Sequence, residues 1–469
     1  MKACIWFSRM KAEKLGHAAA LACLLMTAAF IVVLNRGSPP LAFLSLHLSI
    51  HAYLPYQTAQ ESRESGNGTQ NLSPRLQENL QEHKPGYIGQ QIMLTCDFSE
   101  PRSDTCSMTG DIRVLSSSHT LLLANSTENT SHIIRPYARK WEPQSMQYIK
   151  ELTLKTSTDP HRIPSCNLNH SVPAIIFSTG GFLGNFFHDF TDVLIPLYVT
   201  SHHFNGEVQF IATDFNAEWI SKYKPILQRL SRFEIINMDT DKNTHCFTFV
   251  RVGLMSHKVL GIDPSKTPEN YSMIDFKKLV RATFQLKRGS VIQEKSGRKP
   301  RLLMLLRIGS RSILNEKQVI KMARRIGYKV VAARPNNMKD LRQFAKVVNS
   351  CDVMVGVHGA GLANMVFLPE NSTVIQIIPW GGLTWACRHD FGEPAPNMGI
   401  KYLEYEIKEE ESSLIKQYPR DHAVFRDPIS IHKQGWNSLW SVFLDKQKVK
   451  LDLPRFRGLL SEVYRSLQD

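Results

Sequence analysis

Three short stretches carry residues whose types and spacing suit chemistry. In "VGVHGAGLANMVF", His358, Gly359, Ala360 and Gly361 follow an apolar, valine-rich run at 353–357. Glycines at the exit of a buried strand let the backbone approach a phosphate closely, and the amides that open the next helix, expected from Leu362, supply partial positive charge without a metal. His358 would donate to a diphosphate or to a sugar; the plainer reading is a packing turn with a satisfied histidine. Arg307 and Arg311, in "LLRIGSRSILNE", follow another apolar run. A guanidinium fork there matches phosphate oxygens, with Arg307 preferred to Arg311 and a plain surface position as the alternative. Glu370, in "FLPENST", is placed either to accept from ribose or sugar hydroxyls or to be a simple loop carboxylate.

The second stretch is "GNFFHDFTDVLIPL". Drawn as a helix, Phe186, Phe190, Val193, Leu194 and Leu197 share one face, while His188 and Asp192, four apart, meet on the other. A carboxylate one turn from an imidazole orients the ring and raises its basicity, which suits a general base. Asp189 is the competing base, and an incidental solvated face is the plainer reading. The third stretch, "FEIINMDTDKN", sets Asp239 and Asp241 beyond an apolar run, where paired carboxylates would hold manganese or magnesium. Because a metal-free phosphate site is already available, the expectation is that no metal is required.

These residues need elements to position them. Apolar runs at 173–178, 208–212, 233–237 and 246–252 alternate with helical patterns over 185–201 and 217–230. A second set at 301–306, 328–333, 353–357 and 373–378 alternates with helical patterns at 316–326 and 338–349. Strands alternating with amphipathic helices predict parallel sheets wound with helices, hence an α/β fold of two Rossmann-like domains facing one another. The ligand crevice then lies at the carboxyl ends of the strands.

Composition sets the surroundings. The 469-residue chain is too long for one core and carries a formal net charge of +15, which attracts anions. No zinc-finger spacing, arginine tract or RNP-like string accompanies the charge, so nucleic acid is not the expected partner. Lys2, Arg9, Lys11 and Lys14 precede an uncharged stretch at 18–34, long enough to span a bilayer and flanked for a cytoplasmic N-terminus. A cleaved signal peptide is the alternative. A luminal body agrees with sequons at Asn67, Asn71, Asn125, Asn129, Asn169, Asn270 and Asn371. It also agrees with the even set Cys96, Cys106, Cys166, Cys246, Cys351 and Cys387, compatible with three disulfides or with at least one pair of buried thiols. The expected organisation is a tail at 1–17, a signal anchor at 18–34, a polar stem at 35–87, a first Rossmann-like domain at 88–290 with the candidate base and a second at 291–469 with the candidate phosphate turn.

The strings "CDFSEPRSDTC", "GNFFHDFTDVLIPLY", "THCF", "GVHGAGLANMVFLPENSTVIQIIPWG" and "RDPISIHKQGW" resemble glycosyltransferase family 61, in particular its plant members that decorate xylan. The resemblance runs from about Ile92 to Leu467, whereas the stem and apolar segment are generic. It implies a GT-B fold, a Golgi type II membrane protein and inverting transfer of an arabinofuranosyl or xylosyl unit from a UDP-sugar to xylan, with arabinofuranose favoured. A xylosyltransferase acting on xylan side chains or N-glycans, and a non-catalytic Golgi scaffold that binds a nucleotide sugar, are the alternatives. A complex with other Golgi transferases is a further expected partnership.

Overall fold

The computed structural model describes residues 92–291 and 298–468. The expected tail, anchor and stem, with the sequons Asn67 and Asn71, lie outside the described residues. Among the described residues, no helix is long and apolar enough to cross a membrane.

Fifteen strands form two sheets. The first contains β1 (Met93–Asp97), β2 (Thr105–Leu115), β3 (Thr120–Ala124), β4 (Ser131–Ile134), β5 (Leu152–Thr156), β6 (Leu168–Asn169), β7 (Ala174–Ser178), β8 (Gln209–Thr213), β9 (Ile236–Asn237) and β10 (Thr244–Val252). Its order is β4-β5-β3-β2-β10-β7-β8-β9. The second contains β11 (Arg301–Leu305), β12 (Lys329–Ala333), β13 (Val353–Val357), β14 (Thr373–Ile378) and β15 (Lys401–Glu406), in the order β12-β11-β13-β14-β15.

The second sheet is parallel throughout, as its apolar runs predict. Every residue of β13 and β14 is buried, the pattern of strands covered on both faces. The first sheet departs from the expected wound arrangement. β10, β7, β8 and β9 run in parallel, with β6 also parallel to β10; β2 joins β10 antiparallel and carries β1 and β3 antiparallel beside it, and β5 lies parallel to β3. The extra strands come from residues 93–156, where β2 alternates inward and outward side chains along eleven residues. The run at 233–237 supplies only the two residues of β9.

Helices fill the space beside both sheets. One hydrophobic cluster takes side chains from each half, including Phe177, Phe190 and Phe276 from the first and Leu303, Met354 and Phe367 from the second. Phe190 and Phe367 meet edge to face at 5.9 Å, a geometry that adds to the gain from burying both rings. Among the described residues two disulfides form, Cys96–Cys106 and Cys166–Cys246, both in the first half. Cys351 and Cys387 are buried thiols, so of the two alternatives the one with a pair of buried thiols holds. Asn125, Asn129, Asn169, Asn270 and Asn371 are all exposed.

Candidate active site

The helix that carries His188 is composite: an α turn at Phe186–His188, a π segment at Asp189–Leu194 and an α-helix at Ile195–Ser201. Asn185 caps it by accepting from the Phe187 amide at 3.1 Å. The plainer reading, an incidental solvated face, fails, because every residue from 189 to 201, Asp189 and Asp192 included, is buried. π segments often mark functional positions, since the widened turn re-aims side chains.

Both carboxylate oxygens of Asp189 are engaged by donors. Its Oδ1 accepts from the Gly184 amide at 2.8 Å and Trp219 Nε1 at 3.0 Å; its Oδ2 accepts from Tyr223 Oη at 2.6 Å and Lys222 Nζ at 3.2 Å. Four donors and complete burial make it a brace between the composite helix and the helix Ala217–Leu230. The Tyr223 hydroxyl, pushed up by burial and by the Asp189 charge, stays protonated and donates.

His188 fits the role of general base better. Its Nδ1 lies 2.8 Å from Asp192 Oδ2, which also accepts from Tyr137 Oη at 3.0 Å. Arg102 and Arg139 each approach Asp192 Oδ1 to 3.6 Å. Arg139 Nη1 is also 3.4 Å from His188 Nδ1, but a carboxylate at the shorter distance decides the tautomer. Nδ1 therefore carries the proton, which leaves the Nε2 lone pair as an acceptor. Phe182 and Phe187 pack against the ring, at 4.9 and 5.2 Å between centroids.

The second half builds the complementary site. His358 follows β13, and its Nδ1 receives Gln376 Nε2 at 2.8 Å, while Gln376 Oε1 accepts from Tyr402 Oη at 2.7 Å. The chain of donors fixes the opposite tautomer, with the proton on Nε2. Burial, reinforced by Arg311 and Arg307, holds the imidazole down at about 3, so it is neutral at physiological pH.

Gly359 adopts a φ of 147°, and a Cβ there would sit 2.5 Å from Arg307 Nη1 and 3.3 Å from Arg311 Nη1. Glycine is needed for the conformation and for the guanidinium beside it. A 3₁₀ helix starts at Ala360, two residues before the expected helix, and runs to Phe367. Its first bond is Leu362 N–H to Gly359 O at 3.0 Å, so the amides at 359–361 precede the intrahelical ladder.

Arg311 is as well placed as Arg307, which corrects their expected ranking. It is buried, takes a left-handed φ of 53°, and donates from Nη1 to His358 O at 2.9 Å. Arg307 donates from Nε to Ser310 O at 3.1 Å. Neither guanidinium forms an ion pair among the described residues, and Arg311 Nε is buried without a hydrogen-bond partner. Burial lowers both arginines, Arg311 to about 10, with Arg307 adding to the effect. Two desolvated cations side by side, beside free amides and a neutral N–H donor, are a cradle suited to an anion.

Glu370 does not belong to this cradle. The pairing of β13 with β14 sets Val357 beside Ile377 and Val353 beside Thr373, so His358 stands at the carboxyl ends and Glu370 precedes the amino end of β14. Its carboxylate lies 3.9 Å from Arg281, and its main chain pairs with Gly289 and Val291. Asp239 and Asp241 do not converge as metal ligands. Asp239 is bound by Lys150 Nζ at 2.7 Å and the Phe215 amide at 2.8 Å, whereas Asp241 faces His245 at 3.3 Å.

The two clusters meet through Phe391, which packs on Phe187 at 5.5 Å and on His358 at 5.8 Å. Asp390, beside it, has Oδ2 at 3.9 Å from His358 Nε2, and its charge is felt by Arg139 and His188. Sequence reasoning missed Asp390 and the Arg102, Tyr137 and Arg139 set. The basic and aromatic string "RPYARKW" at 135–141 was the signal available for Tyr137 and Arg139.

An oriented imidazole acceptor facing an unpaired cationic cradle defines a group-transfer site with an anionic leaving group. The family model of glycosyltransferase 61 matches residues 183–375, a span that holds both histidines and both arginines. The chain is 45% identical over 395 residues to the alpha-1,3-arabinosyltransferase XAT3 of Oryza sativa subsp. japonica, covering 83% of this chain and 68% of that protein. It is 39% identical over 396 residues to the beta-1,2-xylosyltransferase XYXT1 of the same organism, covering 80% and 84%. It is also 39% identical over 394 residues to the xylan glycosyltransferase MUCI21 of Arabidopsis thaliana, covering 79% of each. The chain belongs to glycosyltransferase family 61, and it is a glycosyltransferase.

Proposed function

We propose that this enzyme transfers a pentose, arabinofuranose in preference to xylose, from a UDP-sugar to xylan with inversion at the anomeric carbon. The observation that carries the reading is the unpaired Arg307–Arg311 pair at the Gly359 turn, joined through Phe391 and Phe187 to a histidine oriented by Asp192. His188 Nε2 takes the proton of the acceptor hydroxyl as that oxygen bonds to the anomeric carbon. The bond from this carbon to the diphosphate breaks with its electron pair. The charge on departing UDP is met by Arg307, Arg311, the amides at 359–361 and His358 Nε2–H. Attack from the face opposite the leaving group inverts the configuration.

The xylan acceptor is supported by the relative whose name carries that polysaccharide, and the arabinosyl preference by the identity of 45% to an arabinosyltransferase against 39% to a xylosyltransferase. On the same reading the two halves form a GT-B pair, the donor resting on the second half, and a type II anchor holds the head in the Golgi lumen. The exposure of the five described sequons supports the luminal setting. The proposed steps are written without a metal; Asp239, one of the two candidate ligands, is matched by Lys150. The test is to incubate the purified enzyme with UDP-arabinofuranose, UDP-arabinopyranose and UDP-xylose plus xylo-oligosaccharides, and to assign products by mass spectrometry. Transfer of arabinofuranose supports the reading; UDP binding without transfer from any pentose donor overturns it.

A further inference from the structure

Asp390 lies beside Phe391, the ring that joins the two clusters, and interacts toward both. It sits in the π turn Arg388–Gly392, after β14, and its side chain keeps 31% of its surface exposed. Oδ2 stops 3.9 Å from His358 Nε2, beyond hydrogen-bond distance, and the carboxylate has no other ion pair among the described residues. From the first half, Arg139 and His188 act on its charge; from its own turn, His389 and Glu393 do. A diphosphate held by His358 and the arginines extends its sugar toward His188, because the anomeric carbon must reach the acceptor oxygen. Asp390 is within reach of both ends of that path, 3.9 Å from His358 Nε2 and close enough for Arg139 and His188 to act on its charge.

Resting on the proposed donor reading, we infer that Asp390 accepts a hydrogen bond from a ring hydroxyl of the donor pentose and is thereby a residue that selects the sugar. A carboxylate accepts but does not donate, so it rewards a hydroxyl at one position and is left unpaired by an analogue lacking it. It adds nothing for UDP alone, whose phosphates it repels. Burial pushes the carboxyl up to about 6, so the preference weakens as the pH falls through that value.

The experiment compares the wild-type enzyme with Asp390→Asn and Asp390→Glu. It measures calorimetric affinity for UDP and for the accepted UDP-pentose, then kcat and KM for that donor and its monodeoxy analogues. The expected result is UDP affinity unchanged or slightly higher in Asp390→Asn, and KM for the accepted donor raised by about tenfold or more. Wild type should discriminate against one deoxy analogue, and Asp390→Asn should not. Asp390→Glu keeps the charge, and a fold check for both variants comes from UDP binding itself. Unchanged KM and unchanged discrimination overturn the inference, as does a collapse of kcat with every donor at constant KM, which would mark Asp390 as the proton acceptor. Failure of the wild type to bind UDP sinks the donor reading as well, which separates the two.

Discussion

His188 and His358 carry the same ring, yet their surroundings give them opposite roles. Asp192 accepts from Nδ1–H of His188 and leaves Nε2 as an acceptor; Gln376 donates to Nδ1 of His358 and leaves Nε2 as a donor. Around the first, a buried carboxylate is matched by Arg102 and Arg139. Around the second, neither Arg307 nor Arg311 forms an ion pair among the described residues, and they donate to Ser310 O and His358 O. One half is internally neutralised and ready to accept a proton. The other is left positive and ready to accept an anion. A histidine in a motif therefore says little about its function until the partner of its other nitrogen is known.

The largest test of this contrast is His188→Gln. It should lower kcat by about a hundredfold to ten-thousandfold, the range for a lost general base, while UDP affinity measured by calorimetry stays within about twofold. A variant that loses UDP binding as well would merge the two sites and end the distinction. Arg311→Ala comes next, with transfer reduced by about a hundredfold to a thousandfold and UDP affinity reduced alongside it. The same loss is expected of Gly359→Val, whose side chain must displace the Arg307 guanidinium at a φ of 147°. If Arg311→Ala binds UDP as wild type does, the cradle is elsewhere.

The charges of the second half also give a stability signature. His358 is held at about 3, below its ordinary value, so between that pH and about 6.5 the unfolded chain binds the extra proton and stability rises with pH. Asp390 is raised to about 6, so between its ordinary value and that pH the folded chain binds the extra proton and stability falls as pH rises. Each neutral variant removes one of these trends. The melting temperature of His358→Gln relative to wild type should therefore climb as pH drops from 7 to 4, and that of Asp390→Asn should climb as pH rises over the same interval. Each drift should be on the order of a few degrees by differential scanning calorimetry. Drifts of the same sign would refute the assigned proton positions.

The parts of the site that the sequence disclosed are those built by neighbours. His358 and Gly359 end a strand, and His188 and Asp192 are one turn apart, so type and spacing suffice. Strands β11 to β14 of the second sheet were legible for the same reason, each being a compact apolar run, whereas the partly exposed, charged β15 was not. What escaped is contact over long separation. Tyr137 reaches Asp192 across 55 residues, and no periodicity in either segment encodes that meeting. The π segment escaped too, because a helical wheel drawn at the usual pitch pairs His188 with Asp192 but does not show that Asp189 and Asp192 are both buried. Arg311 was ranked low because side-chain type does not reveal a left-handed backbone that turns the guanidinium inward.

Glu370 sharpens the comparison from the other side, since it is close to His358 in sequence but belongs to neither cluster. The 3₁₀ helix Ala360–Phe367 carries the chain from the carboxyl end of β13 back to the amino end of β14. The carboxylate there faces Arg281 at 3.9 Å and adds a favourable field at Lys277, a buried ammonium that donates to Met398 O at 2.6 Å. Burial lowers Lys277 to about 8, and Glu370 opposes that shift. Glu370→Gln should accordingly leave kcat and KM for transfer within about twofold. Its effect on stability should be small, about 0–1 kcal/mol, because Glu370 is 37% exposed and the pair is screened by solvent. A tenfold rise in KM for the donor would instead put this loop at the sugar, and the separation of the two sheet ends would no longer explain where substrate binds.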